Sequence, residues 1–150
     1  MATIYGSNYY ACIIDKPQRM VHMGEYNGRE KVSIDTVTLS ADFASGDVAR
    51  VCQLPVNAKV VGARVFGAAL GGGTATLGHL GDGTTPAKAD AFIKAIALTA
   101  AYDVSDKDSR GDHIQVIRFL APTDVVLVFS GASSGGAGKQ IFTRVNFLLD

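Results

Sequence analysis

A proline separates two strand-like segments near the middle of this chain, and that arrangement narrows what it can fold into. Residues 48–66 read Val-Ala-Arg-Val-Cys-Gln-Leu-Pro-Val-Asn-Ala-Lys-Val-Val-Gly-Ala-Arg-Val-Phe. β-Branched and small apolar residues fill both halves, a composition suited to a pleated, half-buried surface. Pro55 has no N–H to give to a ladder, so it ends the first segment and turns the chain into the second. Before it, Val48, Arg50, Cys52 and Leu54 share one face, with Ala49, Val51 and Gln53 on the other. After it, Val61, Ala63 and Val65 face one way and Arg64 the other. Gly71, Gly72 and Gly73 then permit a sharp bend, and residues 74–80 run into a Gly81-Asp82-Gly83 turn.

The same grammar continues on both sides. Residues 32–39 are β-branched and Thr-rich, and Ala44-Ser45-Gly46-Asp47 is a turn. Residues 86–101 are Ala-rich, with Phe92, Ala95 and Ile96 at i, i+3 and i+4, which predicts one short helix. A strand through residues 92–98 is the alternative. Residues 102–112 read as a polar, acidic loop. Strands are expected at 113–120, 125–130 and 140–149. The last alternates cleanly, with Ile141, Thr143, Val145, Phe147 and Leu149 on one face and Phe142, Arg144, Asn146 and Leu148 on the other. Residues 131–138, rich in Gly and Ser, form a flexible hairpin loop between the final pair. About seven or eight strands at roughly 8–12-residue spacing imply an all-β fold, an antiparallel β-sandwich of jelly-roll type.

Residues 1–30 obey neither period. Tyr5, Tyr9, Tyr10 and Tyr26 alternate with small and polar residues, Pro17 interrupts the middle, and Asn27-Gly28 is a turn dipeptide. Only Ala11-Cys12-Ile13-Ile14 is apolar enough to bury itself. Such a segment has no core of its own. It reads as an extended N-terminal arm preceding a sandwich domain of residues 31–150. Rings with a polar tip suit a partly wet interface, so Tyr5, Tyr9, Tyr10, Ile13, Ile14 and Tyr26 are its expected contact residues.

Charge excludes several functions. Lys plus Arg equals Asp plus Glu at 14 each, so no net field draws the chain to nucleic acid or anionic lipid. No apolar run reaches the ~18 residues that span a bilayer, so no membrane is expected. The first residues lack a basic start and an apolar signal core, which reads as an intracellular product that reaches its destination by assembly. Cys12 and Cys52 match no metal spacing and read as small buried apolar residues.

Motifs that carry chemistry are broken wherever they begin. A calcium loop starting at Asp106 has Asp108 and Gly111 in register, but Arg110 takes a ligand position and Ile117 stands where the bidentate Glu belongs. Arg110-Gly111-Asp112 reads as a salt-bridged turn before a strand. Gly78, Gly81 and Gly83 carry the dinucleotide glycine pattern reversed, without a βαβ unit. Met20-Val21-His22-Met23 has no second ligand group, and His79 and His113 are isolated from any recognised nucleophile motif. No enzyme activity and no cofactor are expected.

The block at residues 48–66, followed by Thr-Ala-Thr-Leu-Gly-His-Leu-Gly-Asp-Gly-Thr and Asp90-Ala-Phe-Ile-Lys-Ala, resembles a pattern found among tailed-bacteriophage virion structural proteins. The resemblance is to small capsid decoration, or cement, proteins and covers residues 48 to about 95. His79-Leu80 departs from it, since an alternating apolar pair is more usual before the turn. The resemblance implies a homotrimer that binds the major capsid protein on the capsid exterior of the virion, after synthesis in the host cytoplasm. The balanced charge argues against a nucleic-acid partner. Other virion roles, in a minor head, tail or fibre-associated sandwich, share the pattern. A carbohydrate-binding sandwich is the remaining alternative, but with no Trp the usual aromatic platform is missing.

Overall fold

In the computed structural model the described residues are 2–6, 30–106 and 118–149, and the alternating segments among them become nine strands. These are β1 (Thr3–Tyr5), β2 (Glu30–Thr38), β3 (Val48–Leu54), β4 (Ala58–Gly67), β5 (Thr74–His79), β6 (Lys88–Ala97), β7 (Tyr102–Ser105), β8 (Thr123–Ser130) and β9 (Gln140–Leu149). They build two sheets, ordered β1-β3-β8-β5-β6 and β2-β9-β4-β7. All neighbours are antiparallel except β1 and β3. The pairs β2–β9, β3–β8, β4–β7 and β5–β6 nest within one another along the chain. Winding one long hairpin into two facing sheets produces such nesting.

The expected β-sandwich is therefore present, and its core lies between the sheets. Leu39, Leu54, Leu77, Phe92, Ile93, Ile96, Phe119, Leu127, Phe129 and Ile141 are all within 1% of full burial. Full burial of a side chain of this size is worth roughly 1.5–3 kcal/mol, so this set dominates folding. In β9 the alternation holds as read, with Ile141, Thr143, Val145 and Phe147 buried. Cys52 is buried as expected, and burial pushes its thiol up to about 12. Cys12 lies outside the described residues.

Elsewhere β-bulges shift the faces. In β3, Arg50 opposes Val126 and Cys52 opposes Val125, leaving Val51 as an extra residue. Ala49 and Val51 point into the core, and so do Cys52 and Leu54 beyond the bulge, whereas strict alternation places Cys52 with Arg50. In β4 the register slips between Val60 and Gly62, which turns Val61 out to solvent while Ala63 and Val65 face in.

The helix expected at residues 86–101 is instead β6. Its partners on β5 jump from Ile96 to Ile93 and then to Lys88, so β6 carries extra residues at two places. Those insertions leave Ala91, Phe92, Ile93, Ile96 and Leu98 all buried, a spacing that mimics a helical stripe. The loop expected at residues 102–112 also begins as a strand, because Tyr102 buries its ring in the core and β7 pairs with β4. Residues 131–138 connect β8 in one sheet to β9 in the other, so they form a crossover and not a hairpin. Of the strand expected at 113–120, residues 113–117 lie outside the described residues and Arg118 makes an isolated bridge to Lys59.

The wide bulge in β6 brings its backbone against β5 at Gly78. A Cβ at that position collides with the Lys88 carbonyl and the Ala89 backbone. Replacing a strand glycine ordinarily stabilises a sheet by roughly 0.5–1 kcal/mol, because glycine loses more entropy on folding. Here Gly78→Ala should do the opposite and destabilise by about 1–3 kcal/mol, measured by urea unfolding, since the overlap is with backbone that cannot rotate away.

Candidate interaction surface

Turns at one end of the sandwich place large apolar side chains where alternation cannot bury them. Strand registers bring three connections together there. Leu54 pairs with Thr123 at the end of β3, and the next residues turn through Pro55, Val56 and Asn57. Asn57 adopts a positive φ of 66°, which a short side-chain amide tolerates. The Asn57 N–H donates to the Phe119 carbonyl at 2.8 Å, tying this turn to residues 118–122. Leu80 donates its N–H to the Asp124 carbonyl at 3.0 Å, which docks the Gly81-Asp82-Gly83 turn beside them.

Val56, Leu80 and Leu120 are 46%, 42% and 59% exposed on these three connections. They are three of the five large apolar side chains exposed among the described residues. The other two, Ile34 and Val61, lie on the outer face of the four-stranded sheet. That face also carries a stacked pair, Phe66 and Phe142, with ring centroids 5.2 Å apart. Arg64 lies over the Phe66 ring and grips Asp103 through two nitrogens, and this pair lowers the Asp103 carboxyl below the usual range. Both partners are about half exposed, so solvent screening leaves the pair little net stability.

Asp82 holds the apolar end together. Its carboxylate accepts N–H bonds from Thr84 at 2.9 Å, Thr85 at 2.5 Å and Leu120 at 2.6 Å. These backbone donors, led by Thr85 and then Leu120, lower its pKa to about 2. Beneath the turn lies His79, 1% exposed, with its ring 5.8 Å from that of Phe92 and 5.0 Å from that of Phe119. The Gly81 N–H donates to His79 Nδ1 at 3.1 Å, so the ring is the neutral tautomer protonated on Nε2. The sequence leaves His79 isolated, and the fold makes it part of the packing under this end.

The opposite end is tied by carboxylates. Asp42 accepts the Ser133 hydroxyl at 3.1 Å and the N–H groups of Gly135, Gly136 and Ala137 at 3.1, 2.6 and 3.3 Å. Asp47 accepts from Ala44 and Ala2, both at 2.9 Å. Backbone donors lower both carboxyls.

Tyr5, among the expected arm contacts, lies on β1 at the edge of the five-stranded sheet, half-buried, with the Arg50 guanidinium 5.9 Å from its ring centroid. Arg50 bonds Asp124 at 2.7 Å. Tyr9, Tyr10, Ile13, Ile14 and Tyr26 lie outside the described residues, as does Arg110-Gly111-Asp112. Among the described residues no three His, Cys, Asp or Glu side chains converge to hold a metal, and no helix is long and apolar enough to cross a membrane. Sequence reasoning missed Val56, Leu80 and Leu120. Their signal is position, since each is a large apolar residue within two positions of a Pro or Gly that breaks the strand period.

Solved structures share this fold. A chain in the capsid of Ralstonia phage GP4 superposes with a TM-score of 0.75 at 20% identity, covering 99% of each chain. A chain in the Cyanophage Pam1 capsid asymmetric unit superposes with a TM-score of 0.62 at 18% identity, covering 92% of this chain and 99% of that one. No protein-family model matches the sequence, and no curated protein matches it.

The bonding at Asp82 gives a pH signature. Its folded-state pKa is depressed, so the stability it contributes is complete above the unfolded value of roughly 4 and is lost as pH falls through about 2. Asp82→Ala should flatten the pH dependence of the urea midpoint across that window relative to wild type. It should also strip hydrogen-exchange protection from the Thr85 and Leu120 amides.

Proposed function

We propose that this chain is a phage head decoration, or cement, protein that binds the exterior of a major capsid protein lattice and stabilises the shell. The observation that carries the reading is the whole-length agreement with a chain of the Ralstonia phage GP4 capsid, which leaves neither protein with an unmatched domain. Its role is structural, not catalytic.

Physical features support the reading. The sandwich closes its core within one chain, so its outer surfaces are left for partners. Exposed apolar groups are gathered at the end formed by Val56, Leu80 and Leu120, where binding buries them. Glu30 and Arg118, at which the chain returns from residues 7–29 and 107–117, also map to this end through their pairing with Leu148 and Lys59. Tyr5 is tied into the sheet beside Arg50, and the arm beyond it supplies Tyr9, Tyr10, Ile13, Ile14 and Tyr26 as anchors across a neighbouring subunit, with a trimer at local threefold positions multiplying the contact. Because the protein binds the assembled shell and not its parts, mass action favours assembly.

Purified protein added to capsids that lack it should appear by cryo-microscopy as high-copy density on the outer lattice. Density confined to the tail, or to the inside of the head, overturns the reading. The double variant Tyr9→Ala with Tyr10→Ala should weaken attachment at least about tenfold, as removal of buried aromatic anchors does, with the unfolding midpoint little changed. A large loss of folding cooperativity would instead place these rings in the core.

A further inference from the structure

We propose that His79 is a proton-operated latch, whose protonation releases the turn that follows it and loosens the Leu80–Leu120 end of the sandwich. The inference concerns the isolated chain and stands whether or not the capsid reading does.

The geometry leaves the ring no room for a charge. His79 is 1% exposed and lies between Phe92 from β6 and Phe119 from the segment before β8. Its Nε2 has no hydrogen-bond partner. Its Nδ1 is an acceptor, occupied by the Gly81 N–H. A proton arriving at Nδ1 removes that acceptor, so the Gly81 amide must break away. It also creates an imidazolium in an apolar pocket, which is costly unless a carboxylate meets it.

Two ionisable groups act on the ring. Lys88, paired with His79 across β5 and β6, opposes protonation, and Asp82 from the turn favours it. Asp124 on β8 is bonded to Arg50 and Gln53, and Arg118 donates to the Asn57 side chain. Asp82 is therefore the carboxylate able to answer the new charge. Its oxygens already hold the Thr84, Thr85 and Leu120 amides, so turning toward His79 means releasing them. One proton thus frees the Gly81 amide just after Leu80, whose own N–H stays on the Asp124 carbonyl, and the Leu120 amide that Asp82 holds.

Burial outweighs Asp82 and depresses the folded-state pKa of His79 below the ordinary 6.5. For a base with a depressed pKa, the unfolded or opened turn binds more protons than the closed one. The stability of the closed turn is therefore full above ~6.5 and is lost progressively as pH falls below it. Asp82, at about 2, stays ionised throughout, so it contributes no titration of its own between pH ~7 and ~5.

The test is amide hydrogen exchange on the full chain between pH ~7 and ~5, with the His79 ring titrated by NMR in the same samples. Protection factors, which remove the intrinsic pH dependence of exchange, are read at Gly81, Thr85 and Leu120. In wild type they should fall by up to about tenfold per pH unit below ~6.5, as proton linkage requires. His79→Asn, which keeps an acceptor for Gly81, and His79→Phe, which keeps the ring, should both be flat over this range. A wild-type ring titrating at or above 6.5 overturns the proposal, as does an equal pH response in wild type and in whichever variant folds. The ring titration needs no variant, so a folding failure in either leaves the test decisive.

Discussion

The sandwich depends on burial at its two central strands, β8 and β9. Each is flanked on both sides, β8 by β3 and β5, and β9 by β2 and β4. Every strand except β1, β6 and β7 therefore either is one of them or pairs directly with one. Val125, Leu127 and Phe129 face inward from β8, and Ile141, Val145 and Phe147 from β9. Inward alternation on these two strands fixes the register of their neighbours, because a one-residue slip moves a whole hydrophobic set to the solvent. The edge strands can then be short or irregular. β7 has only four residues and β6 bulges, and both still hold position because their partners are pinned.

The two central strands were also the most legible part of the chain. β9 shows period-2 alternation over its whole length, and β8 is a β-branched run bounded by Pro122 and Gly131, so local pattern and final burial agree. The misread faces of β3 and β4 and the helical look of β6 share one physical cause, while the crossover at residues 131–138 depends on which sheet each strand joins. A bulge adds a residue to one strand of a pair, and nothing in the local sequence marks which residue is extra. At Val51 and Val61 it flips parity, and in β6 two insertions turn a strand into a pattern with helical spacing. Gly78, which beside Gly81 and Gly83 reads as a turn glycine, lies instead inside β5 where the β6 backbone approaches closely. The exposed end was hidden for a different reason. Val56, Leu80 and Leu120 are far apart in sequence, and only the register of β3, β5 and β8 brings their turns together.

A fold shared at 20% identity over nearly the whole of two chains fits the tolerance of cores to residue change when volume and patterning are kept. In this chain, inward alternation sets the sheets and carboxylates tie the loops. Asp42, Asp47 and Asp82 illustrate the point at the loops, each replacing a missing strand partner for exposed backbone N–H groups. These carboxylates tie the ends of the sandwich, while apolar side chains fill the space between the sheets.

The parallel pairing of β1 with β3 gives the molecule a direction. Thr3 pairs with Val48, near the end tied by Asp42 and Asp47, while Leu149 pairs with Ala58 at the end that displays Val56, Leu80 and Leu120. Ala2 and Leu149 therefore mark opposite poles of one rigid body. A label or cargo attached beside Ala2 projects away from the apolar end, and one attached beside Leu149 projects alongside it. Such a pair of attachment points turns the sandwich into a compass needle, whose orientation on any surface can be read from the label that is hidden and the label that stays in view.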